Sequence, residues 1–401
     1  MSDLPQEIPF SEPWIGRAEA REVLRVLRRR WLTSGPACAE FEAAVRERLS
    51  CAVAVATSSA TAALEVSLAA LDIGPGDEVL LPAYTFTATA STVIHRGARP
   101  VLCDVEAETF NLDPAAVERR IAAEYTQQEG RLVSRRRSGT LKALMPVHFG
   151  GQPADMERLD ALAREFGLAV VEDAAHALGA ETRGRKVGQG ENLTVFSFYS
   201  NKNLTTGEGG MVVTDRRELE PLLRRWALHG LSKDNLTRTR VGTPLYDVLF
   251  HGLKANLPDV LAALGIAQMG RLERILARRR RVAGWYDRML EGMPEVVRPV
   301  VRADCRPTWH LYPVLLAEGG EERRDRIVAR LKQANIHPSV HFIPLPRFTF
   351  WRELFGDPPA DYPVSESLYA REISLPIFPT LTLAQARRVV ETLEEALVRC
   401  R

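Results

Sequence analysis

The sequence predicts an α/β fold in which a large domain with a mostly parallel sheet is followed by a smaller C-terminal α+β domain. Three observations carry this. Short apolar runs recur through the first two thirds of the 401 residues, amphipathic helical patterns separate several of them, and the pattern changes after residue 262. Runs that are apolar at nearly every position suit strands buried on both faces. Alternation of such strands with helices suits a parallel sheet covered by helical crossovers.

The strand candidates, in order, are "AVAVA" (52–56), "EVLLP" (78–82), "RPVLCDV" (99–105), "ALMPVH" (143–148), "LAVVED" (168–173), "TVFSF" (194–198) and "GMVVT" (210–214). Clear helical patterns lie at 61–72 and 155–167. Residues 126–140 are polar and aperiodic and are expected to form an exposed loop. An Arg-rich helical segment (264–292) then leads to "WHLYPVLL" (309–316), a helix at 322–335, "SVHFIP" (339–344) and a final helix after "SLPIFP". The expected division is therefore 1–262 for the large domain and 263–401 for the small one.

A formal net charge of +2, with 26% charged and 45% hydrophobic residues, describes an ordinary globular chain with no general attraction to nucleic acid or membrane. The arginine runs at 28–30, 135–137 and 278–281 resemble nucleic-acid patches, but the first and last lie among acidic neighbours and read as solvated helix faces. Five scattered cysteines without a C-x-x-C pair fit a reducing compartment and buried apolar use rather than a disulfide scaffold or a zinc site; no metal is expected. The N-terminus lacks the pattern of a signal peptide and no apolar run reaches membrane-spanning length, so a cytoplasmic protein is expected.

Ligands of open α/β sheets bind beyond the carboxyl ends of strands, often at a helix N-terminus. Three places qualify. In "AVAVATSSATAALEV", Ser59, Ala60 and Thr61 open a helix and could cradle a phosphate, or merely cap it. In "LAVVEDAAHALGA", Asp173 ends a buried strand just before His176, as a structural ion pair or as a carboxylate aimed at a cationic ligand nitrogen. In "TVFSFYSNKNLTTGEGGMVVTD", Lys202 follows the strand that carries Ser197, as a solvated charge or as an amine that condenses with carbonyls. An anion cradle, a carboxylate and an amine together are the three handles of pyridoxal 5′-phosphate.

"WLTSGP" (31–36), "GPGDEVLLPAYTFTATA" (74–90), "EDAAHALGA" (172–180), "FSFYSNKNLTTGEGGMVVTD" (196–215), "WHLYPV" (309–314) and "SLPIFP" (374–379) together resemble the DegT-type (DegT/DnrJ/EryC/StrS) sugar aminotransferases, along nearly the whole chain. The resemblance implies a pyridoxal-phosphate-dependent transferase of fold type I. It makes Lys202 the lysine that carries the cofactor and Asp173 the partner of its ring nitrogen. Ala60, Thr61 and Ser197 fall at phosphate positions, Phe86 where an aromatic covers the ring, and His176 at a ring-contacting position that is often glutamine. Asn256, in "GLKANLPDVLAALG" (252–265), matches an asparagine that reaches the phosphate of the neighbouring subunit, which implies a homodimer with shared sites; Ala255 replaces the usual aromatic before it. His341 falls in the sugar pocket. The implied reaction transfers an amino group, with L-glutamate as donor, to a nucleotide-linked keto sugar. The motifs most resemble enzymes acting at C4 of UDP-4-keto sugars, including the UDP-4-amino-4-deoxy-L-arabinose type. Relatives with similar motifs act at C3 or on cyclitols, and sugar dehydratases of the same fold carry histidine where Lys202 stands.

Overall fold

The computed structural model describes residues 7–137, 139–233 and 245–400. Its strands are β1 (Val53–Thr57), β2 (Asp77–Pro82), β3 (Arg99–Cys103), β4 (Tyr125–Gln128), β5 (Arg131–Ser134), β6 (Thr140–Leu144), β7 (Ala169–Asp173), β8 (Glu181–Thr182), β9 (Arg185–Lys186), β10 (Leu193–Ser197), β11 (Gly210–Thr214), β12 (Val296–Val297), β13 (Cys305–Arg306), β14 (Tyr312–Leu316) and β15 (Glu372–Leu375). The large sheet has the order β1-β11-β10-β7-β6-β2-β3. The neighbours from β10 to β3 pair in parallel, whereas β11 is antiparallel to both β10 and β1. Buried residues occupy every position of β1, β2, β7 after its first residue, β10 and β11. That burial is why these stretches read as unbroken apolar runs.

The reversal of β11 has a local cause. No helix lies between "TVFSF" and "GMVVT", and a parallel neighbour would need a long crossover, so the chain turns back beside β10. The turn falls at the carboxyl end of the parallel strands.

Residues 126–140 correct the expectation of a loop. They form most of a hairpin, β4 with β5, which is joined antiparallel to β6 and widens the sheet. Leu132 and Ser134 are buried while Arg131 is exposed, an alternation too short and too polar to stand out in the sequence. Arg137 secures the hairpin by bonding Glu78 at 3.0 Å and Glu124 at 2.8 Å, both carboxylates being buried.

Other motifs turn out to be joints. Asp259, buried in the helix Asp259–Met269, accepts bonds from the backbone N–H groups of Gly35 (2.7 Å), Ala37 (3.0 Å) and Cys38 (2.9 Å). It thereby satisfies the open N-terminus of the helix Pro36–Leu49, to which "WLTSGP" leads. The helix Asp259–Met269 spans the position 262/263.

The C-terminal region holds a second sheet, β12-β14-β15, all antiparallel, between the helices Leu272–Met289, Glu321–Gln333 and Leu383–Arg399. Its core includes Ile8, whose N–H bonds Asn335 O at 2.9 Å, so the N-terminal segment packs with this region rather than with the large sheet. The arginine run 278–281 departs from a wholly solvated face: Arg279 is buried. Among the described residues, no helix is long and apolar enough to cross a membrane.

Candidate active site

Asp173 ends β7 opposite Val195 of β10, and Ser197 ends β10, so the two strands deliver their last side chains to the same end of the sheet. The excursion from β10 to β11 is closed at its base by bonds from Phe198 N to Gly209 O (2.9 Å) and from Thr206 N to Phe198 O (3.0 Å). A bond from Lys202 N to Tyr199 O (3.0 Å) fixes the turn bearing the lysine. Burial draws the Lys202 ammonium down to about 8, against the pull of Asp173 and with help from the Arg279 charge. A lysine so placed is a far better nucleophile at neutral pH than a solvated one.

Neighbours in sequence, Glu172 and Asp173 point to opposite sides of β7 and meet different fates. Glu172 is tied to His148 Nε2 (2.8 Å) and to Asn192 (2.8 Å), which keep it below the usual carboxylate range despite its burial. It is an internal strut. Asp173 accepts from Thr89 Oγ1 (2.8 Å) and from Ala175 N (3.2 Å), yet burial still lifts its carboxyl above the ordinary value. A cation brought to it would relieve that penalty.

On the β1 side, Ser59 caps the helix Ala60–Ala70, its Oγ accepting from Ala62 N at 3.1 Å. Ala60 and Thr61 supply the first N–H groups of this helix, which have no intrahelical acceptor. Gly210 explains part of "GEGG": a Cβ there would stand 2.4 Å from Ser59 C and 2.5 Å from Ala60 N. The start of β11 thus lies directly against the helix N-terminus, and Ser197, its partner in register, belongs to the same corner.

Aromatic and imidazole rings close the other side. Phe86 is 59% exposed, at the start of the helix Thr87–His95 that also carries Thr89. Phe342 lies 6.2 Å from Phe86 and 6.0 Å from His176, whose ring is 4.2 Å from that of His310. Burial and the nearby Lys202 charge hold His176 neutral, well below its ordinary value. The buried atoms His176 Nδ1, His310 Nδ1, Asn201 Oδ1 and Asn203 Oδ1 have no hydrogen-bond partner among the described residues. Unpaired buried polar atoms are expensive; His176 and His310 feel the Lys202 charge and Asn201 and Asn203 flank it in the chain, a set that suits a polar ligand. With the open N–H groups of Ala60 and Thr61, they fit a phosphate-bearing aromatic aldehyde.

The structure thus brings Lys202, Asp173, His176, Ser197, Ala60, Thr61 and Phe86 to one end of the sheet. His341 is on the same side, close enough for the Lys202 charge to act on it. Asn256 lies beside the end of β1 of its own chain, bridged to Thr57, with Nδ2 donating to Ser34 Oγ at 2.6 Å. Thr89, His310, Phe342 and Arg279 were not singled out from sequence. Arg279 donates to the carbonyls of Trp309 (3.2 Å), His310 (3.3 Å) and Ile377 (3.1 Å) and has no carboxylate partner among the described residues. Only its place inside an arginine run marked it, and the run pointed elsewhere. A cavity of about 770 Å³ lies at the opposite end of β7 and β10, near Asp160, Arg185 and Asn192, and contains none of these residues.

An α/β sheet with an activated lysine, a buried carboxylate and an open helix N-terminus at its carboxyl end suits a pyridoxal-phosphate enzyme of fold type I. The chain belongs to the DegT/DnrJ/EryC1/StrS aminotransferase family, whose profile matches residues 13–394. It is 39% identical over 391 residues to the spore coat polysaccharide biosynthesis protein SpsC of Bacillus subtilis, covering 97% of this chain and 96% of that protein. Among solved structures, the PMP form of Spr1654 from Streptococcus pneumoniae superposes with a TM-score of 0.89 at 31% identity, covering 98% of this chain and 100% of that one. Its PLP form gives 0.88 at 30%, covering 99% and 100%. Helicobacter pylori PseC, an aminotransferase of pseudoaminic acid biosynthesis, gives 0.87 at 27%, covering 98% and 100%.

Proposed function

We propose that this aminotransferase uses pyridoxal 5′-phosphate to move an amino group from L-glutamate to a nucleotide-linked keto sugar, at C4 of a UDP-4-keto sugar. The observation that carries the reading is the depressed Lys202 amine within electrostatic reach of Asp173 and of the His176 and His310 rings, each of which has a buried, unpaired Nδ1. Bound there, the cofactor supplies an aldehyde that exchanges with amines and a ring that accepts electrons. Lys202 holds the aldehyde carbon and, once displaced, moves a proton at the reacting carbon. Asp173, held by Thr89, keeps a proton on the ring nitrogen, while Ala60, Thr61 and Ser197 hold the phosphate and Phe86 and His176 flank the ring. The solved PLP and PMP forms of Spr1654 support the cofactor, and the sugar pathways named for SpsC and PseC support the substrate class.

The working unit in this reading is a homodimer with Asn256 contributing across the interface. Large apolar side chains left half exposed, Leu24, Leu27 and Leu32 in one stretch of the chain and Tyr246, Val248 and Leu249 in another, support an interface. The substrate assignment is tested by loading the enzyme with pyridoxamine phosphate and mixing it with a panel of nucleotide-linked keto sugars. Return of the visible cofactor absorbance is expected with UDP-4-keto sugars. A response confined to 3-keto sugars or to cyclitol ketones would contradict the C4 assignment.

A further inference from the structure

His341 is held by two alternate residues of β15. Its backbone N–H donates to Glu372 Oε2 at 2.8 Å, and its ring Nδ1 lies 2.9 Å from Ser374 Oγ. Ser374 Oγ in turn bonds Glu372 Oε1. Glu372 and Ser374 are fully buried, and among the described residues Glu372 forms no ion pair. His341 is only partly buried, and no group among the described residues bonds its Nε2. The ring therefore has one nitrogen tied to a buried carboxyl through a hydroxyl and the other open.

Ser374 has a single proton, so the three groups have two self-consistent arrangements. With Glu372 ionised, Ser374 donates to it, His341 Nδ1–H donates to Ser374, and Nε2 is a bare acceptor. With Glu372 protonated, Glu372 donates to Ser374, Ser374 donates to Nδ1, and Nε2 carries the hydrogen. We propose that Glu372, Ser374 and His341 form a proton relay opening into the active site, with Glu372 as the store and His341 Nε2 as the port. A proton arriving at Nε2 is matched by transfer of Nδ1–H to Ser374 Oγ and of the Ser374 hydroxyl hydrogen to Glu372 Oε1; the reverse delivers it.

Burial lifts the Glu372 carboxyl to about 8, against Ser374, the His341 N–H and the Arg324 charge, which draw it down. His341 is pushed down to about 3 by burial and by Lys202. A proton entering the chain thus rests on the carboxyl and not on the ring. The charged and titratable groups around the relay are Arg324 from the helix Glu321–Gln333, Tyr369 from the helix Pro363–Arg371, Tyr84 after β2, whose hydroxyl bonds His341 O at 2.6 Å, and Lys202, His176 and His310 on the site side.

The proposal rests on the aminotransferase reading for its use. When nitrogen replaces a keto oxygen, the oxygen departs as water. A proton given by the relay to that oxygen is recovered from the incoming nitrogen, leaving the relay as it began.

The test is nitrogen-15 NMR of histidine-labelled holoenzyme between pH 6 and 10, with His341 assigned through His341→Gln. Wild type is expected to pass from the Nε2–H to the Nδ1–H tautomer near pH 8 without the ring becoming charged. Glu372→Gln, which keeps the shape but cannot ionise, should show one tautomer throughout. Ser374→Ala should abolish the transition and Ser374→Thr restore it. In pyridoxamine-phosphate-loaded enzyme, both disabling changes should slow amination of the keto sugar at least tenfold while leaving cofactor capture by Lys202 unchanged. A single His341 tautomer in wild type, or a transition surviving in Glu372→Gln or Ser374→Ala, overturns the relay. The tautomer measurement needs no substrate, so its failure is distinct from failure of the proposed function.

Discussion

Lys202 illustrates how a single side chain acquires reactivity from its surroundings. Burial removes water from the ammonium, the uncompensated Arg279 adds repulsion, and Asp173 only partly restores the charge. Capture of pyridoxal phosphate by the protein freed of it requires the neutral amine, which is lost as pH falls through about 8. The capture rate, followed by stopped-flow absorbance, should therefore rise about tenfold per pH unit up to that point and level off above it. A rate still climbing steeply at pH 10 would place the lysine in a solvated setting. At this scale the sequence was most informative about residues whose type is chemically unusual for their position. A lysine among so few and a carboxylate ending an apolar strand both stand out. Thr89, His310 and Glu372 do not, because their importance lies in contacts made across long separations in the chain.

The elements position these residues through strand direction and close backbone approach. β11 runs against its neighbours, so the β10–β11 excursion falls at the end of the sheet where ligands bind, and Gly210 lets it meet the helix Ala60–Ala70. Gly210→Ala forces a methyl into the backbone of Ser59 and Ala60. Overpacking of this kind costs about 1–3 kcal/mol, or about fivefold to a hundredfold in cofactor affinity. Equilibrium titration with pyridoxal phosphate checks this, and wild-type affinity would show that the corner does not hold the phosphate. The parallel strands were legible because burial on both faces leaves a continuous apolar signature. The β4–β5 hairpin was not, since its four-residue strands are partly exposed and held by Arg137 with two distant glutamates. The burial of Arg279 is hidden for a related reason: a charge run such as 278–281 shows composition, whereas burial depends on which carbonyls the helix meets.

At the scale of the whole molecule, the site is open on the side of Phe86, and the exposed apolar side chains lie outside the packed cores. If Asn256 serves a neighbouring site, Lys202→Ala and Asn256→Ala chains are each impaired alone, but mixed dimers contain one site with both residues intact. Co-refolding the two should restore about a quarter of wild-type activity under random pairing, with Asn256 acting in trans. No recovery above the sum of the parents would confine Asn256 to its own chain. The central claim, that Lys202 carries the cofactor, is tested most directly by borohydride reduction of the pyridoxal-phosphate-loaded protein followed by peptide mass mapping. The account predicts a single modified peptide, with the added cofactor mass on Lys202 and none on the other lysines. A modification at another lysine, or none after reduction, would contradict it.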